Sequence, residues 1–336
     1  MCRLIFSIVF CVCILFSCSN NKPTGPAEEA MPQPVSNDSI NKILKEIHAT
    51  EKAKALAALF KEKSKKGRFN GVALIAQQGQ IIYEYAYGFS NVKKKDSLTL
   101  NSAFQLASTS KTFTAAAILL LKDEGKLKLT DTLQKYFPGL PYRNITIHDL
   151  LTHRSGLGNY LYFGEPLCDT KNCYQGTILN NSNLLTMMMN EKPPTYFVPA
   201  RKFSYCNTNY ALLALIIEKV SGLTYPDFMD QRIFKPLGMK NTWVHNSQTD
   251  SLHRNKTMGH TSFGKLEEED YGDEVLGDKG IYSTAGDMLK WDQALYTGKL
   301  LKSTTIEEAF TGYSHEHKGK RNYGYGWRIA ENGKNN

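Results

Sequence analysis

The sequence predicts an α/β fold in which helices flank an antiparallel sheet and a large helical segment is inserted into that sheet. Residues 71–88 have the pattern of a strand hairpin, and strand character returns at 323–329. Residues 129–300, between them, carry mostly helical patterns and long loops. A sheet that begins near the N-terminus and resumes near the C-terminus implies a discontinuous α/β domain with a helical domain between its parts.

The N-terminal elements follow from apolar spacing. Apolar residues recur every three or four positions from Ile40 to Lys66, which predicts a helix ended by Gly67. Gly71 to Ala76 predicts a buried strand, and the turn at 77–80 leads to a second strand at 81–88.

The helical region has three clear segments. Ser108 to Asp123 includes a continuous apolar run, Ala115 to Leu121, so this helix is expected to be central and buried on nearly all sides. Asn209 to Val220 predicts a helix ended by Gly222. Thr284 to Leu295 predicts another, with Ser283 as its N-cap.

Composition limits the class of protein. The chain has 336 residues, 41% hydrophobic, which excludes a mostly disordered chain and a polytopic membrane protein. The net charge of +9 comes mostly from Ile40–Arg68, and no nucleic-acid motif accompanies it, so no nucleic-acid partner is expected. That basic stretch is either a solvated helix face or a surface attracted to an anionic membrane.

The first residues have the pattern of an export signal. A short basic start precedes the apolar run Leu4–Phe16, which is too short to span a bilayer. Leu15–Phe16–Ser17–Cys18 resembles the lipobox of bacterial lipoproteins, which implies cleavage before Cys18 and a diacylglycerol on its thiol. Residues 1–17 are then the signal peptide and 18–39 a flexible tether. The expected location is the bacterial cell envelope, lipid-anchored and either periplasmic or on the cell surface; an ordinary cleaved signal is the alternative.

The remaining cysteines and histidines predict no cofactor. Cys168 and Cys173 close a short loop, and whether they are bonded stays open. No Cys/His cluster has zinc spacing, and His315 and His317 do not share a helix face, so no metal site is predicted.

A Ser-x-x-Lys tetrad carries the chemistry. Ser108 and Lys111 lie one helical turn apart, so a neutral lysine amine can accept the serine proton. The same spacing also starts at Ser19, Ser39, Ser90 and Ser262. Only Ser108 follows a strand pair and opens a long buried helix.

The surrounding segments resemble one superfamily. Phe104–Ala115 is similar to the nucleophile helix of the serine β-lactamases and penicillin-binding proteins, in the branch that holds class C β-lactamases, D-alanyl-D-alanine carboxypeptidases and related esterases. Three further stretches resemble signatures of that branch, in the same order: Leu150–Leu157, Phe203–Tyr210 and Gly280–Met288.

The resemblance implies a role for each site residue. Ser108 is the expected nucleophile, and its backbone N–H one half of the oxyanion hole. Lys111 and Tyr205 are expected to share its proton, and Asn207 to hydrogen-bond Lys111 and the substrate amide. His153 is expected to be a buried histidine that orders its loop. The expected domains are a discontinuous α/β sheet domain, formed by residues 40–105 and 300–336 and incomplete, and a helical domain, formed by residues 106–299, that carries the active-site helix.

One family motif has no match in the sequence. The resemblance implies a Lys-Thr-Gly or His-x-Gly strand after the Tyr323–Trp327 segment, and no Lys-Thr-Gly occurs. His317–Gly319 fits the second pattern only by coincidence, because it precedes Tyr323 in a polar run. The sheet is therefore expected to be incomplete at the C-terminus. Two hypotheses follow: a serine hydrolase of peptidoglycan peptides, small esters or β-lactams, or a truncated, non-catalytic envelope lipoprotein that acts as a pseudoenzyme or binding module.

Overall fold

The computed structural model describes residues 37–164, 179–261, 264–267, 272–314 and 321–330. The α-helices are Asn37–Glu46, Ala49–Lys65, Ser110–Asp123, Leu133–Tyr136, Ile147–Leu151, Asn181–Glu191, Asn207–Ser221, Tyr225–Met229, Ala285–Tyr296 and Ser303–Ala309. The strands are β1 (Gly71–Gln77), β2 (Gln80–Tyr87), β3 (Phe89–Asn91), β4 (Asp96–Ser97), β5 (Phe104–Gln105), β6 (Trp243–Val244), β7 (Ile281–Ser283), β8 (Arg321–Tyr323) and β9 (Arg328–Ala330).

The N-terminal layer is a helix pair packed on the β1–β2 hairpin. The predicted hairpin is confirmed, with Gly71 opposite Tyr87 and Gln77 opposite Gln80. The single helix predicted over 40–66 is wrong: it breaks at His48, whose φ of 52° is left-handed, and the buried Ile47 turns into the core at that point.

The helical core is built around the helix Ser110–Asp123. Its residues are buried on nearly every side, as its apolar run predicted. It packs against the helix Asn207–Ser221, which ends at Gly222 in the left-handed conformation that glycine favours. Phe113 stacks on Trp291 with ring centroids 4.0 Å apart, which joins the helix Ala285–Tyr296 to the same core.

The described strand ladders are all antiparallel, in agreement with the predicted α/β class. β5, β7 and β6 form a small sheet, so the region predicted as helical also contributes strands. Among the described residues, the hairpins β1–β2 and β8–β9 are separate sheets, and the expected sheet shared by both ends of the chain is not observed. The predicted domain limits stay predictions.

Two local predictions near the C-terminus are wrong. The N-cap of the helix Ala285–Tyr296 is Thr284, whose hydroxyl accepts from the Asp287 N–H, because Ser283 is the last residue of β7. Residues 323–329 form the turn and flanks of a hairpin, not one strand. At that turn Gly326 packs on the helix Ser110–Asp123 so closely that a Cβ would lie 2.9 Å from the Ala115 methyl.

None of the helices in the described ranges is long and apolar enough to span a bilayer.

Candidate active site

Ser108 lies in a 3₁₀ turn, Ala107–Thr109, that leads directly into the helix Ser110–Asp123. Ala107 has a φ of 46°, a strained conformation for a residue with a side chain. Strand β7 holds this turn: Leu106 N–H donates to Ile281 O at 2.7 Å, and Ile281 N–H donates to Ser110 Oγ at 3.1 Å. Ser108 is exposed, so its hydroxyl is accessible at the start of a rigid helix.

Lys111 is 1% exposed and makes three hydrogen bonds. Its Nζ donates to Ser108 Oγ at 3.2 Å, to Asn207 Oδ1 at 2.8 Å and to the backbone oxygen of Asp278 at 2.8 Å. Three acceptors match the three N–H groups of an ammonium. All three are neutral groups, which is an unusual environment for a buried lysine.

Tyr205 completes the group around the serine. Its hydroxyl donates to Ser108 Oγ at 2.9 Å, and Lys111 Nζ lies 5.0 Å from the centre of its ring. Asn207 opens the helix Asn207–Ser221, and Tyr205 precedes it by two residues. The structure thus brings together the four site residues that the sequence indicated.

His153 is fully buried beneath Tyr205, as expected for a histidine that orders its loop. Its Nδ1 accepts from the Cys206 N–H at 3.1 Å and faces Asn209 Nδ2 at 3.3 Å, so its proton is on Nε2 and is donated to the Tyr323 hydroxyl at 3.2 Å. Burial and the charge of Lys111 hold the pKa of His153 well below its usual value. The ring is therefore neutral, and its centroid lies 4.4 Å from that of Tyr205.

Two charged residues at the site were not found by sequence reasoning. Asp278 is buried and accepts from the Tyr160 hydroxyl at 3.0 Å through Oδ2. Arg328 is exposed, with its guanidinium 5.6 Å from the centre of the Tyr205 ring. Asp278 stands two residues before the Gly280 stretch and Arg328 directly after Trp327, so position relative to those motifs was the available signal.

Several predicted positions fall outside the described part of the chain. Cys18, Cys168, Cys173 and residues 317–319 are outside the described residues. Cys206 is a buried free thiol that packs beside the Leu157 and Gly158 carbonyls. Within the described ranges no group of three or more His, Cys, Asp or Glu side chains could hold a metal ion.

The chain is similar to known proteins over most of its length. The sequence profile of the family described as Beta-lactamase matches residues 56–335. Penicillin-binding protein 4* of Bacillus subtilis is 36% identical over 295 residues, which cover 83% of this chain and 63% of that protein. The D-aminopeptidase of Brucella anthropi is 27% identical over 263 residues, 78% of this chain and 49% of that protein.

The fold is similar as well. The crystal structure of a penicillin-binding protein from Bacillus halodurans superposes with a TM-score of 0.69 at 30% identity and covers 80% of this chain and 81% of that chain. The chain spans about two thirds of the length of Penicillin-binding protein 4* and about half of the length of the D-aminopeptidase.

Proposed function

The chain belongs to the Beta-lactamase family, and on that premise we propose that it is a serine hydrolase that forms an acyl-enzyme on Ser108. The observation that carries the proposal is the position of Ser108 Oγ, 2.9 Å from the Tyr205 hydroxyl and 3.2 Å from Lys111 Nζ. An exposed hydroxyl in hydrogen-bond contact with two groups able to take its proton is the arrangement that nucleophilic catalysis requires.

The proposed reaction has two halves. Ser108 Oγ attacks the carbonyl carbon of an amide, ester or lactam, and its proton passes to the Lys111–Tyr205 pair. The pair returns that proton to the leaving nitrogen or oxygen as the bond to the carbonyl breaks. Water then attacks the carbonyl carbon of the resulting Ser108 ester and gives one proton to the Lys111–Tyr205 pair. The pair passes that proton to Ser108 Oγ as the bond between Oγ and the acyl group breaks, and the acid product leaves. The Ser108 N–H contributes one hydrogen bond to the oxyanion.

The substrate class rests on the relatives. One is named a penicillin-binding protein and the other a D-aminopeptidase. We therefore propose peptidoglycan-derived peptides, small esters or β-lactams as substrates, bound with Asn207 against the substrate amide.

The test is covalent labelling. Full-length protein is incubated with a fluorescent penicillin and, separately, with a fluorophosphonate, and the modified peptide is mapped by mass spectrometry. Both probes are expected on Ser108, and Ser108→Ala is expected to abolish the labelling. Ser39→Ala is a matched control, because Ser39 opens another Ser-x-x-Lys in the helix Asn37–Glu46, outside the site. A folded protein with no adduct on Ser108 contradicts the proposal and favours a non-catalytic binding module.

We also propose that the chain is held in the bacterial cell envelope by a lipid on Cys18, because the sequence around Cys18 resembles a lipobox. The expected result is a diacylglycerol-bearing N-terminal peptide beginning at Cys18. Replacing Cys18 by serine is expected to release the protein from the membrane fraction. An unmodified N-terminus at another residue contradicts the anchor and leaves the labelling of Ser108 unaffected.

A further inference from the structure

Asp278 is a buried acid beside the buried base of the site. The backbone oxygen of Asp278 accepts from Lys111 Nζ at 2.8 Å, and the two side chains are 2% and 1% exposed. Bond lengths keep a carboxyl group within about 5 Å of the carbonyl oxygen of its own residue. The carboxylate of Asp278 therefore acts on Lys111 at short range through protein rather than water, where charges interact strongly.

In the part of the chain that the structure describes, Asp278 interacts with the tyrosines Tyr160 and Tyr225 and with Lys279, besides Lys111. Tyr160 donates to Asp278, and the Tyr225 hydroxyl is bonded to Thr114 Oγ1 at 2.7 Å. Burial raises the pKa of Tyr225, so it stays neutral. Lys279 Nζ is 3.1 Å from Asp273. On the far side of Lys111, His153 is neutral because burial lowers its pKa.

The carboxyl group of Asp278 is incompletely bonded. Its Oδ1 has no hydrogen-bond partner among the described residues. Asp250 is buried to a similar degree and has hydrogen bonds to both oxygens, as a structural carboxylate normally has. Burial raises the pKa of Asp278, and the charges of Lys111 and Lys279 oppose that rise. Lys111 is thus one of the groups that favour the charged form of Asp278.

We propose that Asp278 is a positioning residue whose carboxylate is the counter-charge of Lys111, and that it sets the pH at which the Lys111–Tyr205 pair can take the proton of Ser108. This inference rests on the proposed acyl-enzyme function. The pair becomes active when it loses one proton, from lysine or from tyrosine. A nearby negative charge opposes that loss in either case, so the effect does not depend on which group is the base.

The experiment is the pH profile of acylation. The second-order rate constant for labelling of Ser108 by the fluorescent penicillin is measured against pH for the wild type, Asp278→Asn and Asp278→Glu. Removing the charge in Asp278→Asn is expected to move the acidic limb to lower pH by about one pH unit, a tenfold higher relative rate at a fixed pH on that limb. Asp278→Glu keeps the charge and is expected to retain the wild-type limb.

Two results would overturn the inference: an Asp278→Asn limb that coincides with the wild type, or equal displacements for Asp278→Asn and Asp278→Glu. Asp287→Asn is the control for loss of a buried carboxylate elsewhere, since Asp287 is 2% exposed and bonds to Asn241, Thr242 and Lys290. The acidic limb of the Asp287→Asn pH profile is expected to match that of the wild type, even though the substitution lowers the stability of the protein.

A second readout separates this inference from the proposed function. Lysine labelled with ¹³C at Cε is followed by NMR against pH in unacylated protein, and the Lys111 signal is assigned with Lys111→Met. The Lys111 signal is expected to respond at lower pH in Asp278→Asn than in the wild type. Absence of any Ser108 adduct contradicts the hydrolase proposal alone; identical Lys111 titrations in the two proteins contradict the role of Asp278.

Discussion

Lys111 and Lys256 both reach into buried polar clusters, but the acceptors around them differ. Lys111 donates to a hydroxyl, an amide and a backbone carbonyl. Lys256 donates at 2.7 Å to the carboxylate of Asp250, whose other partners include His245 at 2.6 Å. Burial lowers the pKa of Lys256, but the hydrogen bond and charge of Asp250 outweigh it and the pKa is raised, whereas the three groups bonded to Lys111 are uncharged.

His153 and His245, both buried, differ in the same way. Within the described ranges His153 has no carboxylate partner, and burial lowers its pKa. For His245, burial favours the neutral ring, but the hydrogen bond and charge of Asp250 outweigh it and the pKa is raised. The cluster around Asp250 is thus held by paired charges, whereas the cluster around Lys111, for which we propose proton transfer, has uncharged groups in direct contact with the lysine.

The largest effect is expected from Lys111→Met. It removes a group that we propose takes the Ser108 proton, and loss of such a group typically slows a reaction by about 10²–10⁴-fold. The measurement is the rate of fluorescent-penicillin labelling, with circular dichroism to show that the protein is folded. Lys122→Met, on the same helix but ion-paired with Glu308, is the matched control and is expected to label normally. A Lys111→Met rate within a few-fold of the wild type would remove Lys111 from the chemistry.

Asp250→Asn is expected to affect stability instead. His245 and Lys256 lose their carboxylate partner inside the protein, which lowers the free energy of unfolding by about 3 kcal/mol. Denaturant titration measures the loss. Asp230→Asn removes an exposed ion pair with Lys235 and is expected to cost less than about 1 kcal/mol. The folded fraction of Asp250→Asn is expected to label at Ser108 at the wild-type rate; a large rate loss would show that the two clusters are coupled.

The smallest effect is the pH dependence of the His245 contribution. Because the folded state raises its pKa above the ordinary value of 6.5, the stabilisation by His245 is complete below that value and is lost as the pH rises through the folded-state pKa. The difference in unfolding free energy between the wild type and His245→Gln is expected to be largest well below pH 6.5 and to shrink as the pH rises above that value. In an Asp250→Asn background the same difference is expected to be flat. A constant difference in the wild-type background would show that folding does not raise the pKa of His245.

The sequence predicted the parts of the site whose geometry is local. Ser108 and Lys111 are one turn apart on one helix, and Tyr205 and Asn207 are two residues apart at the start of another. Asp278 and Arg328 were missed because their place at the site depends on tertiary contacts with Lys111 and Tyr205.

In the fold, too, local patterns were predictable from the sequence and tertiary contacts were not. The long helices and the β1–β2 hairpin have enough residues for a period to be recognised, whereas β5, β6 and β7 have two or three residues each. Those strands are specified by their neighbours. The break at His48 has no glycine or proline to mark it, and the buried Ile47 accounts for it only once the packing is known.

Gly326 has a consequence for how the sequence can vary. The turn that contains Gly326 packs on the helix Ser110–Asp123 and leaves no space for a side chain at this position. A Cβ would lie 2.9 Å from the Ala115 Cβ and 3.0 Å from the backbone oxygen of Lys111. Gly125 also has a positive φ but has open space around it. A methyl group added at Gly326 would press on the backbone that carries Lys111, and the φ of 93° at this position is one that residues with a side chain rarely adopt. Both the distance to the helix Ser110–Asp123 and the chain conformation therefore restrict this position, whereas at Gly125 only the conformation does.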